Sequence, residues 1–237
     1  MQKYNEVKNI LTCPTDLESY FTSEEIMGQK MEILEIGEVS LPSGKIVVRD
    51  PLVYLKANEK PYFTETPKGN FPVTIAVVKS EDWGDRYAVV KVKFTDEKPV
   101  IYQEALIGNE NLEGVKEDDY FGFFADAGLG CVVDAEALSY FDQFIVGLNV
   151  DNIYDDYFAE LFAKSYKENP NNQRQGGDWI NWTIPNTSYN IPMFASGFGD
   201  GGYPVYFAYD ANGKLCGLYI QFIDIELALS DEEESED

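Results

Sequence analysis

The feature that most constrains how this chain can fold is a pair of strand-like runs near its C-terminal end, at residues 203–209 and 215–222. The four residues that join them, Asp-Ala-Asn-Gly, are typical of a β-hairpin turn. A glycine-rich bend at residues 196–202 leads into the first run. This part of the chain therefore predicts an antiparallel pair of strands that is entered through a bend of small residues.

Apolar and polar residues also alternate at 71–79 and at 87–94, which is the pattern of strands with one buried face. Between these strands and the C-terminal pair, apolar residues at helical spacing predict two helices, at 133–146 and 153–167. Strands, then helices, then strands favour an α+β fold with a mainly antiparallel, sandwich-like sheet. We expect both helices to pack on that sheet.

The ends of the chain complete this organisation. Residues 1–30 predict a polar, helical N-terminal segment, and residues 33–49 predict a hairpin that turns at Leu-Pro-Ser-Gly. We expect one domain from residue 1 to 228. Residues 229–237 predict a disordered acidic tail, because a run of charged residues has too little apolar surface to offset its ordering entropy.

The net charge of the chain limits the classes of partner that it can bind. The sequence has 42 acidic and 18 basic residues, so its formal net charge is −24. Such a charge repels the phosphates of nucleic acids and the surface of anionic membranes, and it attracts basic proteins. We expect a basic protein partner, no nucleic acid and no membrane association, while the oligomeric state stays open.

The residue types that are missing limit the chemistry. The sequence has no histidine, which excludes Ser-His-Asp and Cys-His catalysis and histidine-ligated metal sites. Its three cysteines form no Cys-x-x-Cys pair, and residues 1–10 lack the apolar core of a signal peptide. We therefore expect a cytoplasmic protein that carries no cofactor and no metal.

Four blocks of the sequence, taken together, resemble a family catalogued as domain of unknown function 4241 (DUF4241). They are SGKIVVRDPL at 43–52, PKGNFPVT at 67–74, DAGLGC at 126–131 and SGFGDGGYPVY at 196–206. The resemblance spans roughly residues 35–223, with Phe198 where the family has tryptophan and Val132 where it has an aromatic residue. It implies two signature loops, which we call the first loop (126–131) and the second loop (196–202), and it implies no activity.

The first loop offers a candidate nucleophile. Cys131 directly precedes a predicted helix, and the N-terminus of a helix can lower the pKa of a thiol. The alternative is a small buried thiol beside glycines that let a strand turn sharply.

A group of carboxylates near the two loops is a second candidate functional site. If the loops meet, Asp126, Asp134 and Asp200, with Glu136, have the chemistry to bind Ca²⁺ or Mg²⁺ or to act as an acid–base pair. Alternatively, Asp126 and Asp200 hydrogen-bond the amides of their own loops and Asp134 caps a helix.

Aromatic residues near the second loop offer a third candidate, a surface that stacks on sugars or anchors a protein; the alternative is that they are core residues. These aromatic residues are Trp179, Trp182, Tyr189, Phe198, Tyr203 and Tyr206. A phosphate cradle at 197–202 is disfavoured, because Asp200 lies within it and no basic residue is near.

The candidate functional residues as a whole lie in or beside the two loops: Asp126, Gly128, Cys131, Asp134, Ser196, Gly197, Asp200, Gly201, Tyr203 and Tyr206. Two classes of function follow. The first is a non-catalytic binding protein, for example an immunity-type protein that neutralises a basic toxin. The second is a hydrolase, carboxylate-based or metal-assisted, that uses Asp126, Asp134 and Asp200. Whether these carboxylates converge discriminates between the two.

Overall fold

The computed structural model of the chain describes residues 2–117 and 119–235. Its strands are β1 Glu25–Ile26, β2 Gln29–Leu41, β3 Ile46–Arg49, β4 Gly69–Ser80, β5 Gly84–Lys93, β6 Ile101–Glu104, β7 Phe123–Ala125, β8 Leu129–Asp134, β9 Trp179–Thr183, β10 Asn190–Ala195, β11 Gly201–Tyr203, β12 Val205–Tyr209 and β13 Leu215–Gln221. Its α-helices are α1 Gln2–Val7, α2 Ser19–Thr22, α3 Leu138–Leu148, α4 Ala159–Glu168 and α5 Ile225–Ser235. A 3-10 turn, Ala135–Ala137, precedes α3, and a π-helical turn, Tyr154–Phe158, precedes α4. The fold is therefore α+β with antiparallel sheets, as the sequence predicts.

The largest element is a curled seven-stranded antiparallel sheet in the order β1-β2-β4-β5-β13-β12-β6. The four strands predicted at 71–79, 87–94, 203–209 and 215–222 all lie in it, which confirms that they share one sheet. Val73, Ile75 and Val77 of β4 are fully buried, as their alternation predicts.

The predicted hairpin turn between β12 and β13 is also confirmed. Asp210 Oδ1 accepts hydrogen bonds from the amides of Asn212 (2.8 Å) and Lys214 (2.9 Å), which closes the turn. Gly213 has a φ of 72°, a conformation that glycine adopts without strain.

A second, four-stranded antiparallel sheet has the order β3-β8-β10-β9. The two central helices cover this sheet, so the prediction that they pack on the sheet of β4 and β5 is wrong. The reason is a separate apolar cluster around Trp182 of β9, whose ring lies 5.2 Å from Phe158 and 6.1 Å from Phe141. Aromatic residues on one face of the helices therefore fix which sheet they cover.

The predicted hairpin at 33–49 is likewise wrong. β2 pairs with β4 in the larger sheet, whereas β3 pairs with β8 in the smaller one. The intervening turn carries the chain from one sheet to the other and is held at Asp134, whose oxygens accept hydrogen bonds from Ser43 N (2.9 Å) and Ser43 Oγ (2.7 Å).

The secondary structure at the two ends of the chain differs in part from what the sequence predicts. Among residues 2–30, the helical part is limited to α1 and α2, and β2 begins at Gln29. Helix α5 runs into the segment predicted as an acidic tail, and residues 236 and 237 lie outside the described residues. The disorder of the tail and the single-domain boundary stay predictions. Within the described part of the chain, no helix has both the length and the apolar character needed to cross a membrane.

Candidate functional site

The two signature loops lie side by side, as their small residues predict. Strand β7 directly precedes the first loop, and β11 begins at the end of the second loop. The two strands pair with Gly201 opposite Ala125. Past this ladder, Ser196 N donates to Gly128 O at 3.0 Å. A Cβ on Gly128 would lie only 3.8 Å from Cα of Gly199, so the backbones approach closely. The loops therefore form one structural unit at the end of β8 and β10.

The first loop is organised by Asp50, a residue that the sequence does not mark as functional. Asp50 is fully buried after β3. Its Oδ2 accepts hydrogen bonds from the amides of Asp126 (2.9 Å) and Ala127 (2.6 Å), and its Oδ1 accepts from Leu52 N (2.9 Å) and Val53 N (3.3 Å). The amides of the first loop are therefore satisfied by a carboxylate distant in sequence, and not by Asp126 as predicted.

The second loop is held by hydroxyl groups rather than by Asp200. Ser196 Oγ donates to Gly199 O at 2.7 Å, and Tyr203 OH donates to Ser196 O and Gly199 O at 3.0 and 2.7 Å. A Cβ on Gly197, whose φ is 51°, would lie 2.9 Å from Cβ of Phe222. Asp200 itself is exposed, so the predicted role of its side chain in closing the loop is wrong.

The predicted carboxylate cluster does not assemble. Asp126 is exposed and accepts a hydrogen bond from Tyr54 OH. Asp134 is fully buried at the far end of β8, where it accepts from Ser43 and caps the following turn through Glu136 N at 2.9 Å. The helix-cap interpretation of Asp134 is thereby confirmed. Among residues 2–117 and 119–235, no group of three or more acidic or cysteine side chains is placed to hold a metal ion.

Cys131 is an interior residue of a strand, not a residue at a helix N-terminus. It lies within β8, opposite Arg49 of β3 and Met193 of β10, and is fully buried. Burial raises the pKa of the Cys131 thiol far above its ordinary value. The thiol is therefore neutral at physiological pH, and the interpretation as a small buried side chain is correct.

Most of the candidate aromatic residues belong to the core. Trp182, Tyr203 and Tyr206 are each 8% exposed. Of the six, only Phe198 counts as an exposed side chain, at 55%, and its ring meets that of Trp83 edge-on at 5.5 Å. The predicted aromatic surface is therefore reduced to Phe198 at the tip of the second loop.

A different set of aromatic residues is exposed on or beside the ladder of β7 and β11. Phe124 of β7 is 63% exposed, Tyr120 is 50% exposed and Tyr54 is 36% exposed. Tyr120 OH donates to Gly202 O at 3.0 Å, and a Cβ on Gly202 would lie 3.5 Å from the ring of Phe124. Together with the exposed Asp126 and Asp200, these three residues form a surface that we call the ladder face.

Glu104 anchors the segment that leads into this face. The side chain is 3% exposed, and Oε1 accepts hydrogen bonds from Phe121 N and from Gly122 N (3.1 Å). Burial raises the pKa of Glu104 to about 7, although the two amides act in the opposite direction. Gly122 has to be glycine here, because a Cβ would lie 2.1 Å from Tyr203 O.

A family model described as a protein of unknown function, DUF4241, matches residues 39–220. The match includes both signature loops, Asp50, Glu104 and all five residues of the ladder face. No curated protein and no solved structure matches the chain.

Proposed function

Because the chain belongs to the DUF4241 family, whose description names no activity, we propose a function from the site itself. The protein is a non-catalytic binding protein that takes a basic protein partner on the ladder face. The observation that carries this proposal is the exposure of Phe124, Tyr120 and Tyr54 beside the carboxylates of Asp126 and Asp200.

The chemistry of the ladder face suits a cationic surface with aliphatic stems. Large aromatic residues are the commonest anchors of protein interfaces, since they bury much area at little cost in side-chain entropy. Lysine and arginine side chains pack their methylene groups and cationic heads against such rings, and their charges pair with carboxylates. The net charge of −24 adds a long-range attraction that speeds the association of a basic partner.

The ladder face is also held in place before a partner arrives. Tyr54 is tethered to Asp126, Tyr120 is tethered to Gly202, and the segments on either side of β7 are bound by the buried carboxylates of Asp50 and Glu104. A preformed surface loses less conformational entropy on binding than a mobile one does. An immunity-type inhibitor of a basic toxin is one protein of this kind.

The hydrolase alternative receives no comparable support from the site. Asp134, one of its three carboxylates, is buried at the other end of β8 and is engaged by Ser43 and Glu136 N. Asp126 and Asp200 remain at the loops, both of them exposed. Two of the three carboxylates therefore remain for this chemistry, and the third lies elsewhere in the fold.

The test is affinity capture from the native host with four forms of the protein: wild type, Phe124→Ser, Asp126→Asn and the control Val146→Ser. Val146 is 73% exposed on α3, so the control removes an exposed apolar side chain from a different surface. We expect a basic protein to be captured by wild type and by Val146→Ser, with a loss of about tenfold or more in affinity for Phe124→Ser.

The captured protein is then expressed and its affinity is measured by calorimetry at two salt concentrations. Affinity that falls with added salt and with Asp126→Asn supports the proposal. Capture of an acidic protein, or equal affinity for wild type and Phe124→Ser, would overturn it.

A further inference from the structure

A second feature of the signature loops is a cleft of about 460 Å³. One wall is the backbone of the two loops, at residues 127–129 and 195–199. The remaining walls include Leu52, Phe162, Arg86 and Arg174. We call this cavity the arginine cleft, because it contains two of the three arginines in the sequence.

The two arginines differ in their pairing. Arg174 is bound to Asp178, whose Oδ1 accepts from Arg174 Nε (2.8 Å) and Nη2 (2.6 Å). Asp178 is buried and its charge is used in this pair. Arg86, in β5, forms no ion pair with any carboxylate of the described residues. The lining of the cleft therefore carries one uncompensated positive charge, in a protein whose net charge is strongly negative.

The guanidinium of Arg86 also has unused hydrogen-bonding capacity. Its Nη1 donates to Asp85 O at 3.2 Å, whereas its Nε is inaccessible to solvent and has no acceptor among the described residues. A buried N–H of a charged group without an acceptor is costly, and such groups are rare in folded proteins. The other terminal nitrogen, Nη2, donates no hydrogen bond within the described residues and is not enclosed, so an acceptor from outside the chain can reach it.

We propose that the arginine cleft binds a small organic acid, with its oxyanion, a carboxylate or a phosphate, on Arg86 and its apolar body against the cleft wall. The planar fork of arginine donors matches both kinds of oxyanion in a bidentate geometry. The volume lies in the range of small-ligand sites, about 300–1,000 Å³. Leu52, Leu129 and Phe162 supply the apolar contacts, and Arg174 is already occupied by Asp178.

This site is independent of the proposed function. The ladder face recruits a basic macromolecule through exposed aromatic residues and carboxylates, whereas the cleft takes an anionic small molecule through a half-buried arginine. Phe124 and Asp126 do not line the cleft, and Arg86 does not belong to the ladder face. Failure of one proposal therefore leaves the other standing, and the variants that test them are different.

The experiment titrates the full-length protein with benzoate, phenyl phosphate, inorganic phosphate and benzamidine, with binding followed by NMR and by thermal shift. Benzamidine has nearly the shape of benzoate and the opposite charge, so it is the matched control ligand. We expect benzoate or phenyl phosphate to bind and to shift the Nε–H resonance of Arg86, and benzamidine not to bind. Preference for benzoate over phenyl phosphate identifies a carboxylate site, and the opposite preference identifies a phosphate site. Binding of inorganic phosphate alone would mean that the apolar wall contributes nothing to binding, which contradicts the proposal.

Two variants complete the test. Arg86→Gln is expected to weaken binding of the anionic probe about tenfold or more, the usual effect of removing a charged hydrogen-bond donor. Lys214→Gln removes one positive charge from the β12–β13 turn and is expected to bind as wild type does. No binding of any anionic probe to wild type at about 10 mM, a concentration above the dissociation constant of weak ligands, overturns the proposal. An unmoved Arg86 resonance would also overturn it, and this readout does not depend on whether Arg86→Gln folds.

Discussion

The two ends of β7 are held by buried carboxylates, and the two carboxylates are used differently. At the exit, Asp50 accepts four backbone amides with its two oxygens. At the entrance, Glu104 accepts two amides, and Oε1 takes both. The C-terminal end of β7 is therefore held by a carboxylate that uses both of its oxygens. The N-terminal end is held by a carboxyl group whose cost of burial is offset by only two hydrogen bonds.

Because of this difference, we expect the two ends of β7 to respond differently to mutation and to pH. A buried carboxylate that satisfies many amides stabilises the fold, and its removal orphans every one of those donors. A buried carboxyl group with fewer partners is instead sensitive to pH, because its charged form is penalised by burial. The exit of β7 is thus expected to be sensitive to mutation, and the entrance to proton concentration.

The largest effect is expected at Asp50. Asp50→Ala leaves the amides of Asp126, Ala127 and Leu52 without their acceptor and empties a fully buried position, and we expect a loss of about 3–5 kcal/mol in the free energy of unfolding. Urea denaturation at pH 7 measures the loss, with Asp126→Ala as the control, since the exposed Asp126 side chain contacts Tyr54 rather than the loop amides. A variant as stable as wild type would mean that Asp50 is not the organiser of the first loop.

The next effect is a pH dependence at Glu104. Its pKa is raised from the ordinary 4.5 to about 7, so the folded protein holds this proton more tightly than the unfolded chain does. The contribution of Glu104 to stability is then greatest below about pH 4.5, falls as the pH rises towards 7 and is constant above that value. At about 1.4 kcal/mol for each pKa unit, the fall amounts to about 3 kcal/mol.

Glu104→Gln removes this titration. We expect the free energy of unfolding of wild type to fall by about 2–3 kcal/mol more than that of Glu104→Gln between pH 4.5 and 8. Denaturation by urea at a series of pH values measures the difference, and Glu113→Gln, at a carboxylate that is 80% exposed, is the control. Parallel profiles for wild type and Glu104→Gln would contradict the raised pKa.

The sequence predicts strand β4 well because the first half of the strand has the period of two that one-sided burial produces. Phe71, Val73 and Ile75 are buried whereas Pro72 is exposed and Thr74 is half-buried, and a period of two has one structural interpretation; beyond Ile75 both faces of β4 are buried. The start of the central helix is predicted too early for the opposite reason. Val132 and Val133 are both fully buried in β8 between β3 and β10, and a short run buried on both faces has no period that separates strand from helix.

The site is predicted in part for a similar reason. The approach of the two loops follows from their small residues, which the sequence displays directly. Asp50 acts on the main-chain amides of Asp126 and Ala127, 76 and 77 positions away, and an amide donor leaves no mark in the sequence. The exposure of Phe124 is likewise a property of the β7–β11 pairing, which no local pattern encodes.

The smallest effect on stability is expected at Asp200, and it sharpens the contrast with Asp50. If Asp200 satisfies loop amides, as one of the two sequence interpretations has it, Asp200→Ala costs about 1–3 kcal/mol by orphaning them; if it binds a ligand or metal instead, stability is unchanged or raised. Because Ser196 and Tyr203 hold the second loop and Asp200 is exposed, we now expect a change within about 0.5 kcal/mol. Urea denaturation of Asp200→Ala beside Ser196→Ala decides between these outcomes, since Ser196 is buried and its hydroxyl closes the loop.

If Asp200 contributes only to the ladder face, its loss lowers the association rate of a basic partner at low salt by a few-fold and leaves the unfolding transition unchanged. A large loss of stability in Asp200→Ala would return the carboxylate to the framework of the loop and remove it from the binding surface.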